Sequence, residues 1–201
     1  MPDADWWQVL WPDPVTVLVE MGVRPGMVVV DLCCGDGLFT APLARIADTV
    51  YAVDIDPAML DRARALVAAV GASSCHFILA DAMTFDAVVP EPVDYVFLAN
   101  TFHGVPDQVG LARAVAAILK PKGQFGVINW HRLPHEETVV LGKPRGPRTE
   151  MRMEARDVAV IVEPAGLMLN RAVEFPPYHY GAIFAKGGGI SGALHNREAF
   201  R

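Results

Sequence analysis

Short apolar runs separated by amphipathic ones constrain this chain more than anything else in it. "MVVVDL" (27–32), "VYAVDI" (50–55), "CHFILA" (75–80), "VDYVFLA" (93–99) and "QFGVINW" (124–130) are apolar almost without interruption. A strand with one wet face alternates apolar and polar residues. A continuous run reads instead as a strand buried on both faces, as in parallel sheets covered by helices. The intervening segments have helical character. Residues 38–47 read as one helix. In "DPAMLDRARALVAAVG" (56–71), Asp56 is the expected N-cap, Pro57 opens the first turn and Gly71 closes the helix. "PDQVGLARAVAAILK" (106–120) reads as another helix, stopped at "PKG". The predicted class is therefore α/β, with a mostly parallel sheet and helices on both faces.

The two ends differ from this rhythm. Residues 1–26 read as a helical lead-in: Trp6, Trp7, Leu10 and Trp11 fall at helical spacing, and "DPVTVLVEMG" has Asp13 as N-cap and Gly22 as its stop. The tryptophans suit either packing or the roof of a pocket. Residues 131–150 interrupt the alternation with three prolines, two glycines, two histidines and three arginines. Helix returns over 154–165. "LMLNRAVEF", "PPYH" and "YGAIFAK" then predict a terminal antiparallel hairpin. The expected organisation is a lead-in (1–26), one domain (27–186) and a flexible glycine-rich tail (187–201).

A net charge of -6 weighs against nucleic acid, which calls for a basic face. The sequence shows no apolar run long enough to cross a membrane and no signal-peptide pattern, so the expected location is the cytoplasm. The three cysteines fit reduced thiols there. A homodimer is compatible with the chain.

The loop after the first strand, "DLCCGDG" (31–37), carries the functional question. Cys33 and Cys34 lack further ligands at metal-binding spacing. A pyrophosphate cradle would want G-x-G-x-x-G, but Gly35 and Gly37 are followed by no third glycine, and Asp36 would repel phosphate. Asp31 and Asp54 end the first two strands and Asp81 follows the third, all on one edge. A carboxylate after the second strand can accept from both hydroxyls of a ribose. One after the third can reach an adenine amino group. Asp31 with the glycine loop suits a cationic, amino-acid-like group. The set describes a nucleoside carrying positive charge.

"VVVDLCCGDG", "VYAVDIDPAML", "LADAMTF" and "LKPKGQFGVINW", in this order, resemble the class I S-adenosylmethionine-dependent methyltransferases. The resemblance covers nearly all of residues 27–186, with Cys33 where that family often has glycine. It implies a seven-stranded sheet ending in a hairpin, and S-adenosyl-L-methionine as cofactor. By resemblance the cofactor residues are Asp31, Gly35, Gly37, Asp54, Ile55, Asp81, Ala82 and Asn100. The implied reaction is in-line methyl transfer to a small-molecule acceptor. The rival readings are a protein that holds the cofactor without turnover and a nicotinamide-dependent oxidoreductase.

On the acceptor side, His103 follows the fourth strand and His131 the fifth. Both are expected to face the sulfonium as general bases or orienting groups, since histidine suits that task near neutral pH. "LGKPRGPRTEMRM" places Lys143, Arg145, Arg148 and Arg152 where a lid over an anionic acceptor would lie.

Overall fold

The apolar runs form the sheet that their continuity predicts. In the computed structural model, which describes residues 4–187, the elements in chain order are α1 (Ala4–Leu10), α2 (Pro14–Glu20), β1 (Val28–Leu32), α3 (Thr40–Ile46), β2 (Thr49–Asp54), α4 (Pro57–Ala69), β3 (Cys75–Leu79), β4 (Val93–Ala99), α5 (Gln108–Ile118), β5 (Leu119–Trp130), β6 (Val139–Val140), β7 (Lys143–Pro144), α6 (Ala155–Val162), β8 (Leu167–Phe175) and β9 (His179–Lys186). The seven-stranded sheet has the order β3-β2-β1-β4-β5-β9-β8, while β6 and β7 form a separate two-stranded ribbon. β1 to β5 pair in parallel, and β9 runs antiparallel between β5 and β8. The tail expected to be flexible, from 188 onward, lies outside the described residues.

Successive residues of one strand serve opposite layers. Val30, Leu32, Val96, Leu98, Phe125 and Val127 face the layer that contains Leu111 and Val115 of α5 and Val158 and Val162 of α6. Val29, Val50, Tyr95, Phe97, Ile128 and Trp130 face the other layer, with α1, α2 and α3. The lead-in is thus part of the core. Trp6 and Trp11 are each only 3% exposed, and full burial of a large apolar side chain contributes roughly 1.5–3 kcal/mol.

Local signals act as their chemistry predicts. Asp13 and Asp56 cap α2 and α4 by accepting the backbone amides of Thr16 and Ala58. The expected "PKG" stop is instead an irregular stretch inside β5. Lys122 sits at φ 66°, and the register against β4 shifts between Val93 and Tyr95. The chain leaves β1 toward β2 and β3 on one side and returns to β4 and β5 on the other. The carboxyl ends of β1 and β4 therefore flank the switch point, where this architecture opens a ligand crevice.

Gly37 has a packing role. It adopts φ +94°, and a Cβ there would lie 2.6 Å from the Cα of Ala63 in α4. The loop after β1 can approach α4 only because that side chain is missing. Gly37→Ala should lower stability by about 2–4 kcal/mol, combining a left-handed backbone with overpacking. Urea unfolding of the two proteins measures it, and an unchanged midpoint would contradict this account.

Candidate functional site

The site begins with a carboxylate that holds two loops. Asp54, the last residue of β2, accepts the Gly35 amide through Oδ2 at 2.8 Å and the Asp56 amide through Oδ1 at 2.9 Å. The loop after β1 is tied further by the bond from the Cys34 amide to the Val53 carbonyl, 3.0 Å. To make these turns the chain adopts positive φ at Cys33 (57°) and Gly35 (56°). Cys33 pays a steric cost there that glycine would not.

Beside this junction lies a cavity of about 370 Å³, a volume typical of small-molecule pockets. Gly35, Asp54, Ile55, Asp81 and Ala82 line it, as the sequence analysis expects; Gly37 does not. Thr101, which by resemblance adjoins the methionine part together with Asn100, lines it too; Asp56, Met59, Met83 and Val105 line it as well and were not among the expected residues. Met59 and Met83 could have been suspected from their places just beyond β2 and β3, but helix and loop methionines usually pack. Ile55 is 67% exposed despite being apolar, so it offers a bare hydrophobic surface at the cavity mouth. Asp81 accepts the Met83 amide at 2.8 Å through Oδ1. Among the described residues the wall holds three carboxylates and no Lys, Arg or His.

A smaller cavity shares Cys33 with the first and is lined also by Trp7, Asp31, Asp36 and Asn100. Asp31 is 3% exposed and accepts the Thr40 hydroxyl at 2.6 Å. Burial pushes its carboxyl up to about 7, against the lowering effect of that hydroxyl, and the Asp54 charge adds to the rise. Asn100 stands at φ 59°, and its Oδ1 is buried without a hydrogen-bond partner. Cys33 and Cys34 are free thiols. Burial, then the neighbouring Asp54 and Asp31 carboxylates, pushes Cys33 up to about 12, and Cys34 is raised by the same causes. Neither is a ready nucleophile.

A third cavity, of about 340 Å³, adjoins the second through Trp7 and Asn100. Trp6, His103, Trp130, Arg145 and Gly146 complete its lining with Pro144 and Pro147. His103 is held in one tautomer. The Trp130 backbone amide donates to Asn129 Oδ1 at 3.1 Å, which sets the orientation of that side-chain amide. The same oxygen lies 2.9 Å from His103 Nδ1. Two acceptors cannot bond each other, so Nδ1 carries the proton and Nε2 keeps its lone pair. Burial lowers the pKa of the ring; the Asn129 bond opposes this and the Arg152 charge assists it.

Comparison with known proteins agrees with this geometry. Residues 29–123 match the family described as "Methyltransferase domain". The fold matches the crystal structure of a SAM-dependent methyltransferase from Aquifex aeolicus with a TM-score of 0.76 and 25% identity, over 92% of this chain and 94% of that one. In sequence over residues 29–123 and in fold, the chain is similar to S-adenosylmethionine-dependent methyltransferases. It is 34% identical over 131 residues to cycloartenol-C-24-methyltransferase 1 of Oryza sativa subsp. japonica, covering 59% of this chain and 35% of the relative. It is 30% identical over 110 residues to a ubiquinone biosynthesis O-methyltransferase of Xanthomonas campestris, covering 55% and 46% respectively. The chain thus spans less than half the length of either relative.

Two expectations for the acceptor side need correction. His131 does not face the cavities. Its Nδ1 lies 2.9 Å from Glu154 Oε2 and its Nε2 lies 2.9 Å from Glu174 Oε2. His131, the first residue beyond β5, is held by these two glutamates instead. With both nitrogens donating, it has no lone pair for a substrate. The basic loop also divides. Arg152, 1% exposed, is a strut whose guanidinium donates to Leu133 O, Thr138 Oγ1, Arg145 O and Pro147 O. Arg148 pairs with Glu150 at 3.2 Å, and Lys143 is exposed. Only Arg145 reaches the cavity.

The clamp on His131 has a pH signature. Burial lowers its pKa, but the hydrogen bonds and charges of Glu154 and Glu174 outweigh burial and hold it above the ordinary histidine value. A group raised on folding contributes stability that is fully present below its unfolded pKa of about 6.5 and is lost as pH rises through the folded value. The melting-temperature gap between wild type and His131→Gln should therefore be widest near pH ~6 and shrink toward pH ~9. A gap that widens with pH would refute the charged clamp.

Proposed function

We propose that this domain transfers the methyl group of S-adenosyl-L-methionine to a small-molecule acceptor, leaving S-adenosyl-L-homocysteine. The observation that carries this reading is the first cavity's wall: three carboxylates, no cation among the described residues, and a continuation into a second cavity that Asp31, Asp36 and Asn100 line. A dinucleotide would bring its pyrophosphate against Asp54, Asp56 and Asp81, which like charge disfavours. A nucleoside sulfonium suits the same wall. Asp54 has lone pairs beyond those its two amides use, enough for two ribose hydroxyls. Ile55 and Met83 offer apolar faces to an adenine, beside the Asp81 carboxylate. Asp31 and the unpartnered Asn100 Oδ1 suit the ammonium of the amino-acid part.

The bound sulfonium supplies an already activated methyl group, so the chain's own task is positioning, exclusion of water and handling one proton. His103 fits the last role. Its Nε2 can take a proton from an acceptor hydroxyl or amine in the adjoining cavity while Nδ1–H stays on Asn129. The acceptor's freed electron pair forms the new bond to the methyl carbon, and the carbon–sulfur pair stays on sulfur. A protein that only holds the cofactor would have no use for this fixed tautomer.

Asp54→Asn keeps an acceptor oxygen but removes the charge. Hydrogen bonds to charged groups contribute roughly 1.5–3 kcal/mol, so calorimetry should show S-adenosylhomocysteine binding weakened by about tenfold to a hundredfold. Unchanged affinity in the folded variant, or tighter binding of NADH than of S-adenosylhomocysteine by wild type, would sink the reading.

The proton step is tested by pH. His103 acts deprotonated, and burial holds its pKa below the ordinary value of about 6.5. kcat/KM should therefore be flat near neutrality and fall only as pH drops through that lowered value. His103→Gln should abolish the acid limb and reduce turnover by about 10²–10⁴-fold, with S-adenosylhomocysteine affinity unchanged. An acid limb that survives the substitution removes His103 as the base.

A further inference from the structure

We infer that the acceptor is a hydrophobic organic monoanion, an apolar ring-sized body carrying one carboxylate, and that Arg145 is the residue that selects it. The inference rests on the methyl-transfer reading and names the substrate class for its third cavity. The walls supply the apolar body's surroundings. Trp6 and Trp7 stack on each other with ring centroids 4.1 Å apart, and Trp130 lies 6.3 and 6.4 Å from them. All three line the cavity and all are at most 9% exposed. Gly146 closes one side with bare backbone: a Cβ there would meet the Trp130 indole at 2.7 Å.

Arg145 is the cation in this wall. Its guanidinium carbon lies 5.4 Å above the Trp6 ring. Its backbone is fixed at both ends: the amide donates to Thr138 O, and the carbonyl accepts from Thr138 Oγ1 and from Arg152 Nη2. The side chain has no carboxylate partner among the described residues, and its Nε is buried with no acceptor at all. A guanidinium held in place over an indole and left without an anion is costly to bury and matches a carboxylate in bidentate geometry. The neighbouring Trp6 and Trp7 Nε1 atoms are likewise buried donors without acceptors. Among the described residues no carboxylate lines this cavity, in contrast to the acid wall on the cofactor side. With the acceptor's carboxylate on Arg145, its reacting hydroxyl or amine meets His103 Nε2, from which Asn100 and Trp7 lead to the cofactor cavities.

The test uses 3-hydroxy-2-naphthoate and 2-naphthol, which differ only by the carboxylate. Each is titrated by calorimetry into the full-length protein, with and without saturating S-adenosylhomocysteine. Wild type should bind the naphthoate at least about tenfold more tightly than the naphthol, as expected for a charge-assisted pair. Arg145→Met should erase that preference, and Arg145→Lys should restore part of it. S-adenosylhomocysteine affinity should be the same in all three proteins, because Arg145 lines neither cofactor cavity. Equal binding of the two probes by wild type, binding of neither, or a preference that survives Arg145→Met would overturn the inference. Failure of S-adenosylhomocysteine to bind would instead strike the methyl-transfer reading, and the titration without it would still report on Arg145.

Discussion

The hydrogen bond from the Gly35 amide to the Asp54 carboxylate, 2.8 Å long, is the contact on which the ligand edge depends. β1 and β2 lie side by side in register, with Leu32 opposite Val53, so the loop after one strand and the terminal acid of the next are brought together by the sheet itself. That sheet forms because its strands are apolar on both faces and need helices on each. The bond then converts a flexible glycine turn into a fixed rim. Asp54 also holds the Asp56 amide, and Asp56 caps α4. One carboxylate therefore links strand, turn and helix start, and Gly37 lets that turn settle against Ala63.

Around this rim the site divides by hydrogen-bonding character. The cofactor side presents acceptors: Asp54, Asp81, Asp31 and Asn100 Oδ1. The other side carries the Arg145 guanidinium, with no carboxylate among the described residues that line it. Asp31 marks the strain of the first arrangement. Burial beside Asp54 raises its pKa to about 7, so near neutrality the carboxyl is divided between its protonated and charged forms. A cation beside it would stabilise the charged form. In the proposed reaction a cationic cofactor and an anionic acceptor would each meet the wall of opposite sign, which fixes which molecule enters which cavity.

Much of this was legible in the sequence, for physical reasons. Continuous apolar runs report two-sided burial, so the sheet could be read directly. Acids at the ends of successive strands must share an edge in a parallel sheet, so Asp31, Asp54 and Asp81 could be grouped without coordinates. The failures are all long-range. Gly37 reads as a ligand-loop glycine because Ala63, its contact, belongs to another element. His131 reads as a base because Glu154 and Glu174, which occupy both its nitrogens, come from distant segments. Arg152 reads as a lid cation, although four backbone and hydroxyl oxygens from one loop draw it into the interior. The tryptophans left packing and pocket roof as alternatives, and both hold: Trp6 and Trp7 are buried and line the cavity.

Trp130 shows how fold and chemistry meet in one residue. Its backbone belongs to the last parallel strand of the sheet, and its amide donates sideways to Asn129 Oδ1. Because a backbone N–H can only donate, the direction of every later bond in the chain follows: the amide oxygen accepts, His103 Nδ1 donates, and Nε2 is left basic. Its indole meanwhile walls the cavity that Nε2 would serve, pressed by Gly146 on the arginine-bearing loop. Packing against Trp130 therefore sets the shape of the acceptor cavity, while its backbone sets the proton position of the proposed base. The two are carried by one rigid strand, so neither can shift without the other, and a reaction that relies on positioning needs that coupling.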